Sequence, residues 1–263
     1  MFSDERKKII LERLATHNRL TVGEIARELD ASESTVRRDL QDLEELGMLK
    51  RTHGGAVTLE VTSFEPSLLE KDITFPDEKR KIAELACTLI QPEETILLDA
   101  GTTTLEVARV LPRYRLTVVT NSLQIAQELS SRETIELVLI GGEYRRRTGA
   151  CVGLVAEQSL QRLRVDRTFL GTNAVDLTFG VSTPNAAECS TKAAMVAAAR
   201  EVVLVADHSK LDQVSMYQIC PLARLSVIIT DQSLPRKYQE VCREEHIRVL
   251  TPESYELQQG GEG

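Results

Sequence analysis

The sequence has few cysteines and no long apolar segment. Its five cysteines are widely spaced, odd in number and include no Cys-x-x-Cys pair: Cys87, Cys151, Cys189, Cys220 and Cys242. This pattern argues against a disulfide framework and a zinc site, and favours cysteines that act as small buried apolar residues. No segment approaches the roughly 18 apolar residues of a membrane span, and no apolar signal region begins the chain. We therefore expect a soluble cytoplasmic protein with no membrane partner, metal or cofactor.

Positively charged residues are outnumbered by negatively charged ones. The chain has 32 Lys and Arg against 40 Asp and Glu, a formal net charge of −8. Where the charges lie therefore matters more for binding a polyanion than their sum. Residues 1–58 hold ten basic and eleven acidic residues, so most of the acidic excess belongs to the rest of the chain. With 263 residues, of which 42% are hydrophobic, the chain is long enough to form two domains with separate cores.

Residues 32–56, SESTVRRDLQDLEELGMLKRTHGGA, have the pattern of a helix followed by a basic hairpin. Four apolar residues recur at three- and four-residue spacings and so share one helical face: Val36, Leu40, Leu43 and Leu46. Ser32 is the predicted N-cap and Gly47 the stop. Beyond it, residues 48–51 and 56–58 are predicted to pair as strands around a tight turn.

Two further helices precede this segment. Residues 6–15 carry apolar side chains at helical spacing, and Thr21 with Glu24 predicts a capping box that opens a second helix. Residues 30–31 then form a short turn before the third helix. This order is that of a helix-turn-helix, which places its last helix in the major groove of DNA.

The polar face of the third helix and the hairpin supply the candidate DNA contacts. Arginine forks suit guanine edges or phosphates, and hydroxyl groups suit phosphate oxygens. The alternative is an ordinary solvated helix face, but three helices, a capping box and a basic hairpin together favour DNA binding. The sequence does not distinguish the residues that contact bases from those that contact phosphates. The predicted DNA-binding residues are Ser34, Thr35, Arg37, Arg38, Gln41, Lys50, Arg51 and His53.

The segment at residues 32–56 resembles the N-terminal signature of the DeoR/GlpR family of bacterial transcriptional regulators. The resemblance implies a winged helix-turn-helix domain over residues 1–58 and double-stranded operator DNA as a partner. It also implies a role in repression. Residues 59–76, with Pro66 and mixed charge, are predicted to be a linker.

Residues 77–252 alternate helical and strand patterns, which predicts an α/β domain with a largely parallel sheet. Helices are predicted at residues 77–89, 105–111, 123–129 and 186–199, and strands at residues 95–98, 116–119, 135–140, 168–170, 202–205 and 227–229. Residues 253–263 are predicted to be a tail, disordered from residue 258.

Small and hydroxyl-bearing residues lie in two loops, 99–104 and 120–122, where a predicted strand ends and a helix begins. Such loops let backbone amides approach an anion at a helix N-terminus. Each loop alone is also what an ordinary helix cap looks like. The candidate effector-binding residues in them are Asp99, Gly101, Thr102, Thr103, Thr104, Thr120, Asn121 and Ser122.

Two more loops carry cations. In residues 141–149, Gly142 and Arg146 are candidate effector-binding residues. The basic run there is either a phosphate site or a solvated surface. In residues 206–210, His208 and Lys210 come close together in sequence, and either a structural role or anion binding fits them.

These loops resemble the C-terminal effector domain of the same family in the motifs DAGTTT, TNS, GGEYRRRTGACVG, VDRTFLGTNAV, GVSTPNAAECSTKAAM and LVADHSKL. The resemblance implies a fold similar to ribose-5-phosphate isomerase and glucosamine-6-phosphate deaminase, and a domain that senses phosphorylated sugars. FEPSLLEKD, RRRTGA and FLGTNAV look closest to repressors of fructose-utilisation operons, which respond to fructose 1-phosphate. The chain departs from their pattern at Ala174, where they have Gly, and at Asn185, where they have Asp.

A sugar-phosphate isomerase-like enzyme fused to a DNA-binding domain is the rival interpretation. Those isomerases carry an acidic pair after a glycine, whereas residues 172–174 after Gly171 have no group that transfers protons as carboxylates do. We therefore expect no enzyme and no catalytic residues. Glu188 and Lys192, one helical turn apart, are either an ordinary surface pair or ligands for sugar hydroxyls.

A third interpretation is a ligand-independent oligomeric DNA-binding protein whose α/β domain only oligomerises. A homodimer or homotetramer is expected in every case, because operators are commonly two half-sites read by a symmetric protein. The prediction favoured by the residues and the resemblance together is a repressor of a sugar-utilisation operon that a sugar phosphate relieves.

Overall fold

The computed structural model describes residues 3–17, 19–52, 54–57 and 68–259. The chain divides into two compact units, Met1–Phe75 and Pro76–Gly263. Of the predicted linker, residues 59–76, the part up to residue 67 lies outside the described residues. Its described part includes a short helix.

The first unit combines helices with a small antiparallel sheet. Its elements are α1 Ser3–His17, β1 Arg19–Thr21, α2 Val22–Glu28, α3 Glu33–Glu45, β2 Lys50–Thr52, β3 Gly55–Val57 and α4 Leu68–Asp72. Strand β3 lies between β1 and β2 and is antiparallel to both. The predicted winged helix-turn-helix is confirmed. Strand β1 was not predicted, because three residues are too few to show an alternating pattern.

The apolar face of α3 lies in the core of this unit. Val36, Leu40 and Leu43 are at most 1% exposed, as their spacing predicts, and they pack with Ile10 of α1. The prediction for Leu46 is wrong, because α3 ends one residue earlier and this side chain is 58% exposed.

Side-chain caps determine where α2 and α3 begin. Thr21 Oγ1 accepts the N–H of Glu24 at 3.2 Å, and the Glu24 carboxylate accepts the N–H of Thr21 at 2.8 Å. Ser32 Oγ accepts the N–H of Thr35 at 3.2 Å. After α3, Gly47 adopts a left-handed φ of 71°, which glycine tolerates without strain. The predicted capping box, N-cap and stop are confirmed.

The second unit alternates strands and helices. Its elements are α5 Pro76–Cys87, β4 Thr95–Leu98, α6 Thr102–Val110, β5 Leu116–Thr120, α7 Leu123–Leu129, β6 Ile135–Leu139, β7 Glu143–Arg145, β8 Ala150–Val152, α8 Leu154–Gln161, β9 Val165–Leu170, β10 Ala174–Asp176, β11 Gly180–Thr183, α9 Ala186–Ala198, β12 Ala199–Val205, β13 Tyr217–Cys220, β14 Val227–Ile229, α10 Arg236–Glu244, β15 Arg248–Leu250 and α11 Pro252–Gln259.

Seven parallel strands form the main sheet, in the order β15–β14–β12–β9–β4–β5–β6. This confirms the predicted α/β domain. From β4 the chain continues outward through β5 to β6, whereas from β9 it continues in the other direction through β12 and β14 to β15. The direction therefore changes between β4 and β9. Open α/β sheets bind ligands at the carboxyl ends of the strands beside such a switch point.

Helices cover both faces of this sheet. Ile96 and Leu98 of β4 pack into the cluster that holds residues of α5, α6 and α7, while Leu97 packs into the cluster with residues of α8 and α9. All three side chains are fully buried. A strand covered on both faces has apolar residues in succession, as at Ile96, Leu97 and Leu98, which is why β4 could be located from its sequence.

Several elements were not predicted. They include α8, α10, β15, the hairpin β7–β8 and the small antiparallel sheet β10–β11–β13. The predicted tail, residues 253–263, instead contributes α11 up to Gln259, and Tyr255 of that helix packs against the core. Residues 260–263 lie outside the described residues. The predicted helix 105–111 begins earlier, at Thr102, and the predicted strand 168–170 begins at Val165.

All five cysteines have free thiols. Burial raises the pKa of the Cys87 thiol to about 12 and that of Cys220 to about 11, so neither is a reactive thiolate at neutral pH. In the part of the chain that the structure describes, no helix has the length and apolar character to cross a bilayer. Nor do His, Cys, Asp or Glu side chains there group in threes or more as metal ligands.

Candidate DNA-binding surface and ligand site

The polar face of α3 carries most of the predicted DNA-binding residues on the surface. Ser34, Arg37, Arg38 and Gln41 are exposed, and Thr35 is half-buried. With the exposed Arg51 they line a surface depression of about 650 Å³. The structure therefore brings these six residues together. Lys50 lies in β2, and His53 lies outside the described residues.

Arg6 of α1 also lines this depression, although sequence reasoning missed it. Its Nε donates to Asp39 Oδ2 at 2.7 Å and its Nη2 to Oδ1 at 3.1 Å, while Ser3 Oγ donates to Oδ1 at 3.0 Å. Lys7 Nζ lies 2.7 Å from Asp42 Oδ2. Because Asp39 is 2% exposed, its paired carboxylate holds α1 firmly against α3. These contacts join α1 to α3 beside the polar face of α3.

The hairpin β2–β3, which is the wing, is attached to α3 and to β1. The Arg51 N–H donates to Glu44 Oε1 at 2.8 Å, which joins β2 to the end of α3. A Cβ on Gly55 would lie 1.9 Å from the Leu20 carbonyl oxygen, so the close approach of β1 to β3 requires glycine at this position.

The switch point of the large sheet holds a buried ion pair. Asp99, directly after β4, is 1% exposed, and its Oδ2 accepts the N–H of Gly171, which follows β9, at 3.1 Å. Lys192 Nζ of α9 donates to the same Oδ2 and, at 3.1 Å, to the Gly171 carbonyl. Burial raises the pKa of Asp99, although Lys192 and the Gly171 N–H act to lower it. One lysine thus joins β4, β9 and α9.

The loop 99–104 leads into α6. Thr104 Oγ1 donates to the carbonyls of Asp99 at 2.5 Å and Gly101 at 3.0 Å, which closes the turn. Thr102 is buried and Thr103 is half-buried. Gly101 is the N-cap and makes no side-chain cap bond, so it leaves the first amides of α6 to other acceptors. A helix start of this kind suits an anion.

The loop 120–122 lies beside the first loop. Asn121 Oδ1 accepts the N–H of Ala100 at 3.0 Å, and Asn121 Nδ2 donates to the carbonyl of Cys151 in β8 at 2.9 Å. Thr120 Oγ1 donates to a carbonyl of β4 at 2.7 Å, and Ser122 caps α7. All three predicted side chains are buried and bond to backbone, so they shape the loops.

Glu188 and Lys192 of α9 are buried, at 4% and 5% exposure. Glu188 Oε1 is bonded by the Thr148 hydroxyl and by Arg145 Nη1, whereas Lys192 is bonded to Asp99. The interpretation of an exposed i,i+4 pair is therefore wrong. Each of the two buried charges instead bonds to a different loop, so α9 is joined to both the loop after β4 and the hairpin β7–β8.

Arg145, and not the predicted Arg146, reaches α9 from the hairpin β7–β8. Its side chain is 20% exposed, whereas Arg146 is exposed near the turn. Gly142 has a φ of 146°, and a Cβ there would lie 2.5 Å from the Val152 carbonyl oxygen. Gly142 therefore serves the backbone of the hairpin.

The loop after β12 forms a second polar cluster. Asp207 accepts the N–H of Ser209 at 3.0 Å and lies 4.0 Å from Lys210 Nζ. His208 Nδ1 lies 2.7 Å from Asp231 Oδ2. Burial acts to raise the pKa of Asp207, but Lys210 and Ser209 outweigh it and the pKa is lowered. The hydrogen bond to Asp231 raises the pKa of His208. His208 is thus hydrogen-bonded to the Asp231 carboxylate, whereas Lys210 lies near Asp207 at a distance too long for a hydrogen bond.

A comparison with solved structures matches part of the chain. Ribose 5-phosphate isomerase A from Methanocaldococcus jannaschii aligns over 52% of this chain and 55% of the isomerase, with a TM-score of 0.40 and 22% identity. The delta subunit of eIF2B from Chaetomium thermophilum aligns over 52% of this chain and 49% of that subunit, with a TM-score of 0.39 and 14% identity.

Comparisons of sequence cover nearly the whole chain. Residues 6–62 match the DeoR-like helix-turn-helix domain, and residues 74–232 match the DeoR C terminal sensor domain. The HTH-type transcriptional regulator GlpR of Haloferax volcanii is 39% identical over 95% of this chain and 98% of the relative. The HTH-type transcriptional repressor GlcR of Bacillus subtilis is 33% identical over 97% of this chain and 99% of the relative. The chain belongs to the DeoR family of helix-turn-helix transcriptional regulators.

Proposed function

We propose that this protein represses a sugar-utilisation operon and that a phosphorylated sugar releases it from its operator. The observation that carries the proposal is the buried Asp99–Lys192 pair at the switch point, beside a helix start whose first turn carries the Thr102 and Thr103 hydroxyls. Phosphate and hydroxyl groups of one ligand match these two kinds of partner. The same chain also has an exposed recognition helix.

The DNA-binding half of the proposal rests on α3 and the wing. Arg37 and Arg38 present guanidinium groups that suit guanine edges or phosphates in the major groove. Ser34 and Thr35, in the first turn of α3, suit phosphate oxygens, and Arg51 adds a cation from the wing. Affinity for the operator should fall steeply with salt, because these cations displace counterions from DNA.

The effector half rests on the loops at the switch point. The first amides of α6, with the Thr102 and Thr103 hydroxyls, are the proposed phosphate site, and Glu188 and Lys192 are proposed to bind sugar hydroxyls. Fructose 1-phosphate is the first candidate, from the resemblance of three motifs to fructose-operon repressors. Asn185, where those repressors have Asp, still caps α9 by accepting the Glu188 N–H at 3.1 Å.

Induction requires that the effector bind the DNA-incompetent arrangement more tightly than the competent one. An effector that bound both arrangements equally well would not change the affinity for the operator. We also propose a homodimer or homotetramer, since a twofold operator is read by a twofold protein. Mass photometry of the purified protein at nanomolar concentration measures this, and a monomer on its operator would contradict it.

An electrophoretic shift assay tests the whole proposal. The DNA is the promoter upstream of the protein's own gene cluster, and the additions are fructose 1-phosphate, fructose 6-phosphate, glucose 6-phosphate, ribose 5-phosphate and inorganic phosphate. We expect a specific complex that one sugar phosphate dissociates and inorganic phosphate does not. A complex unaffected by every sugar phosphate would contradict the sensor half, and rapid isomerisation of any of them would contradict a purely regulatory role.

A further inference from the structure

Exposed apolar side chains collect in one part of the second unit. Among its described residues, seven large apolar or aromatic side chains are exposed, and five of them lie within residues 123–155. Each of the five is 41–67% exposed, whereas Ile125 of α7 and Ala156 of α8 are fully buried. These five side chains form what we call the apolar patch: Leu123, Leu139, Tyr144, Leu154 and Val155.

The segments that carry the patch are in contact with one another. A Cβ on Gly142, between β6 and β7, would lie 3.3 Å from Ala156 Cβ in the first turn of α8. The Leu123 N–H, at the start of α7, donates to the Gly149 carbonyl in the turn of the hairpin at 3.3 Å. The end of β6, the hairpin β7–β8 and the first turns of α7 and α8 carry all five side chains. The patch is therefore one continuous region.

The size of the patch fits a contact with another protein surface. A stable dimer buries roughly 800 Å² on each partner, with an apolar core inside a polar rim. Contiguous apolar patches larger than a few hundred Å² are rare on monomers and mark interaction sites. Five large side chains exposed to this degree reach that range. Exposed polar residues border them, namely Gln124, Glu143, Arg146 and Gln158.

The charges around the patch favour a second copy of this chain as the partner. Both signs are exposed there, with Glu143 on β7 and Arg146 in the hairpin turn. At a twofold axis, residue i of one copy meets residue j of the other and j meets i, so a surface with both signs can complement itself. A nucleic acid or an anionic lipid surface would instead be matched by a surplus of basic residues.

We propose that the apolar patch is the surface through which two copies of this chain associate. The inference rests on the homodimer or homotetramer of the proposed function and names its contact surface. The five apolar side chains pack across the twofold axis, and the charges at their border pair between the copies. The hairpin β7–β8 also bonds to Glu188 of the proposed effector site through Arg145 and Thr148, so the contact between copies lies beside that site.

Sedimentation velocity of the full chain, from nanomolar to micromolar concentration, measures the association. The test variant carries Leu154→Glu and Val155→Glu, which place two carboxylates in the apolar centre of the contact. We expect its dissociation constant to rise at least about thirtyfold, the loss typical of residues that dominate an interface. A wild-type homodimer would fall to monomers, and a wild-type homotetramer would fall to dimers.

The matched control carries Val214→Glu and Met216→Glu. These two side chains are also exposed, and they lie in another loop of the same unit, before β13. The control adds the same charge outside the patch and should associate like wild type. Circular dichroism of both variants should match wild type, because all four replaced side chains are exposed.

Photo-cross-linking locates the contact without relying on a loss of association. With p-benzoylphenylalanine in place of Tyr144, we expect cross-links to residues 123–155 of a second copy. Mass spectrometry of a mixture of isotopically light and heavy chains distinguishes these cross-links from those within one chain. The same group in place of Met216 should give no such product.

Three outcomes overturn the inference while leaving the proposed oligomer intact. The patch variant associates as tightly as wild type, the control variant loses association to the same degree, or the cross-links from position 144 stay within one chain. Binding of wild type, but not of the patch variant, to phosphatidylglycerol vesicles with unchanged association would assign the patch to a lipid surface instead. A wild-type chain that is monomeric at every concentration would contradict the proposed oligomer, and the inference with it.

Discussion

On α3 the arginines and hydroxyls predicted to contact DNA are on the surface, whereas in the α/β unit the charged residues of the proposed ligand site are buried. Arg37 and Arg38 are exposed, while Asp99, Glu188 and Lys192 are at most 5% exposed. A macromolecule such as DNA can be bound by surface side chains that do not contribute to the stability of the fold. A small ligand is enclosed by residues that are also part of the packing. Substitutions should therefore separate binding from stability in the first unit and affect both in the second.

The largest effect on stability is expected from Lys192→Met. Removing the cation leaves Asp99 buried and unpaired, which should lower the free energy of unfolding by about 3–5 kcal/mol. Urea denaturation of the α/β unit, followed by circular dichroism, measures it. Lys237→Met is the control, because its pair with Asp212 is about half exposed on both sides and should contribute at most about 1 kcal/mol. Equal losses for the two variants would show that burial does not distinguish these pairs.

Arg38→Ala is expected to act on binding alone. Operator affinity should fall by about 1–3 kcal/mol if the guanidinium reads a base edge. The free energy of unfolding should stay within about 0.5 kcal/mol, because the residue is exposed. Fluorescence anisotropy at fixed salt measures the affinity. Arg236→Ala, with a side chain 91% exposed on α10, makes the same change in charge and should bind like wild type. Unchanged affinity for Arg38→Ala would remove that residue from the DNA-binding set.

Thr21→Ala tests whether the small first unit depends on its caps. Loss of the hydroxyl that accepts the Glu24 N–H should destabilise this unit by about 1 kcal/mol and weaken operator binding at elevated temperature. Thr16→Ala is the matched control, since the Thr16 hydroxyl donates to the Glu12 carbonyl within α1 and alanine favours a helix. Thermal unfolding of both variants is the measurement. A Thr21 variant as stable as the control would contradict a role for the capping box.

The smallest effect concerns the pH dependence of the second unit. Asp231 raises the pKa of His208 above its ordinary 6.5, so the protonated imidazole stabilises the fold. This contribution is complete below pH 6.5 and is lost as the pH rises through the raised pKa. The difference in unfolding free energy between wild type and His208→Gln should therefore shrink with rising pH. A difference that stays constant across this range would mean that the pair does not titrate with folding.

The sequence locates elements well where one physical cause dominates. Strands β4 and β14 agree with prediction at both ends, because both faces of each are covered and each has a run of three apolar residues. The N-caps of α2 and α3 could also be predicted from the sequence, since each depends on two residues that are three positions apart. Helix α8 was missed because it begins with two exposed apolar residues, Leu154 and Val155, which obscure the helical pattern.

The partners of the site residues could not be read in the same way. Glu188 and Lys192 have the spacing of an ordinary helical pair, yet Glu188 bonds to a residue 40 positions away and Lys192 to one 93 positions away. Those partners follow from the strand order, which decides which loops meet. For the same reason Arg145 and Arg146, adjacent and alike in sequence, differ in burial because only one faces α9.

The order of the small sheet in the first unit has a mechanical consequence. Strand β3 is central, paired with β1 on one side and with β2 of the wing on the other. It is also the last strand of the winged helix, so the chain continues toward the second unit from the middle of the sheet. Removing β3 from this sheet would have to break the hydrogen bonds to β1 and those to β2 together. The wing and the strand that enters α2 would therefore lose their pairing together.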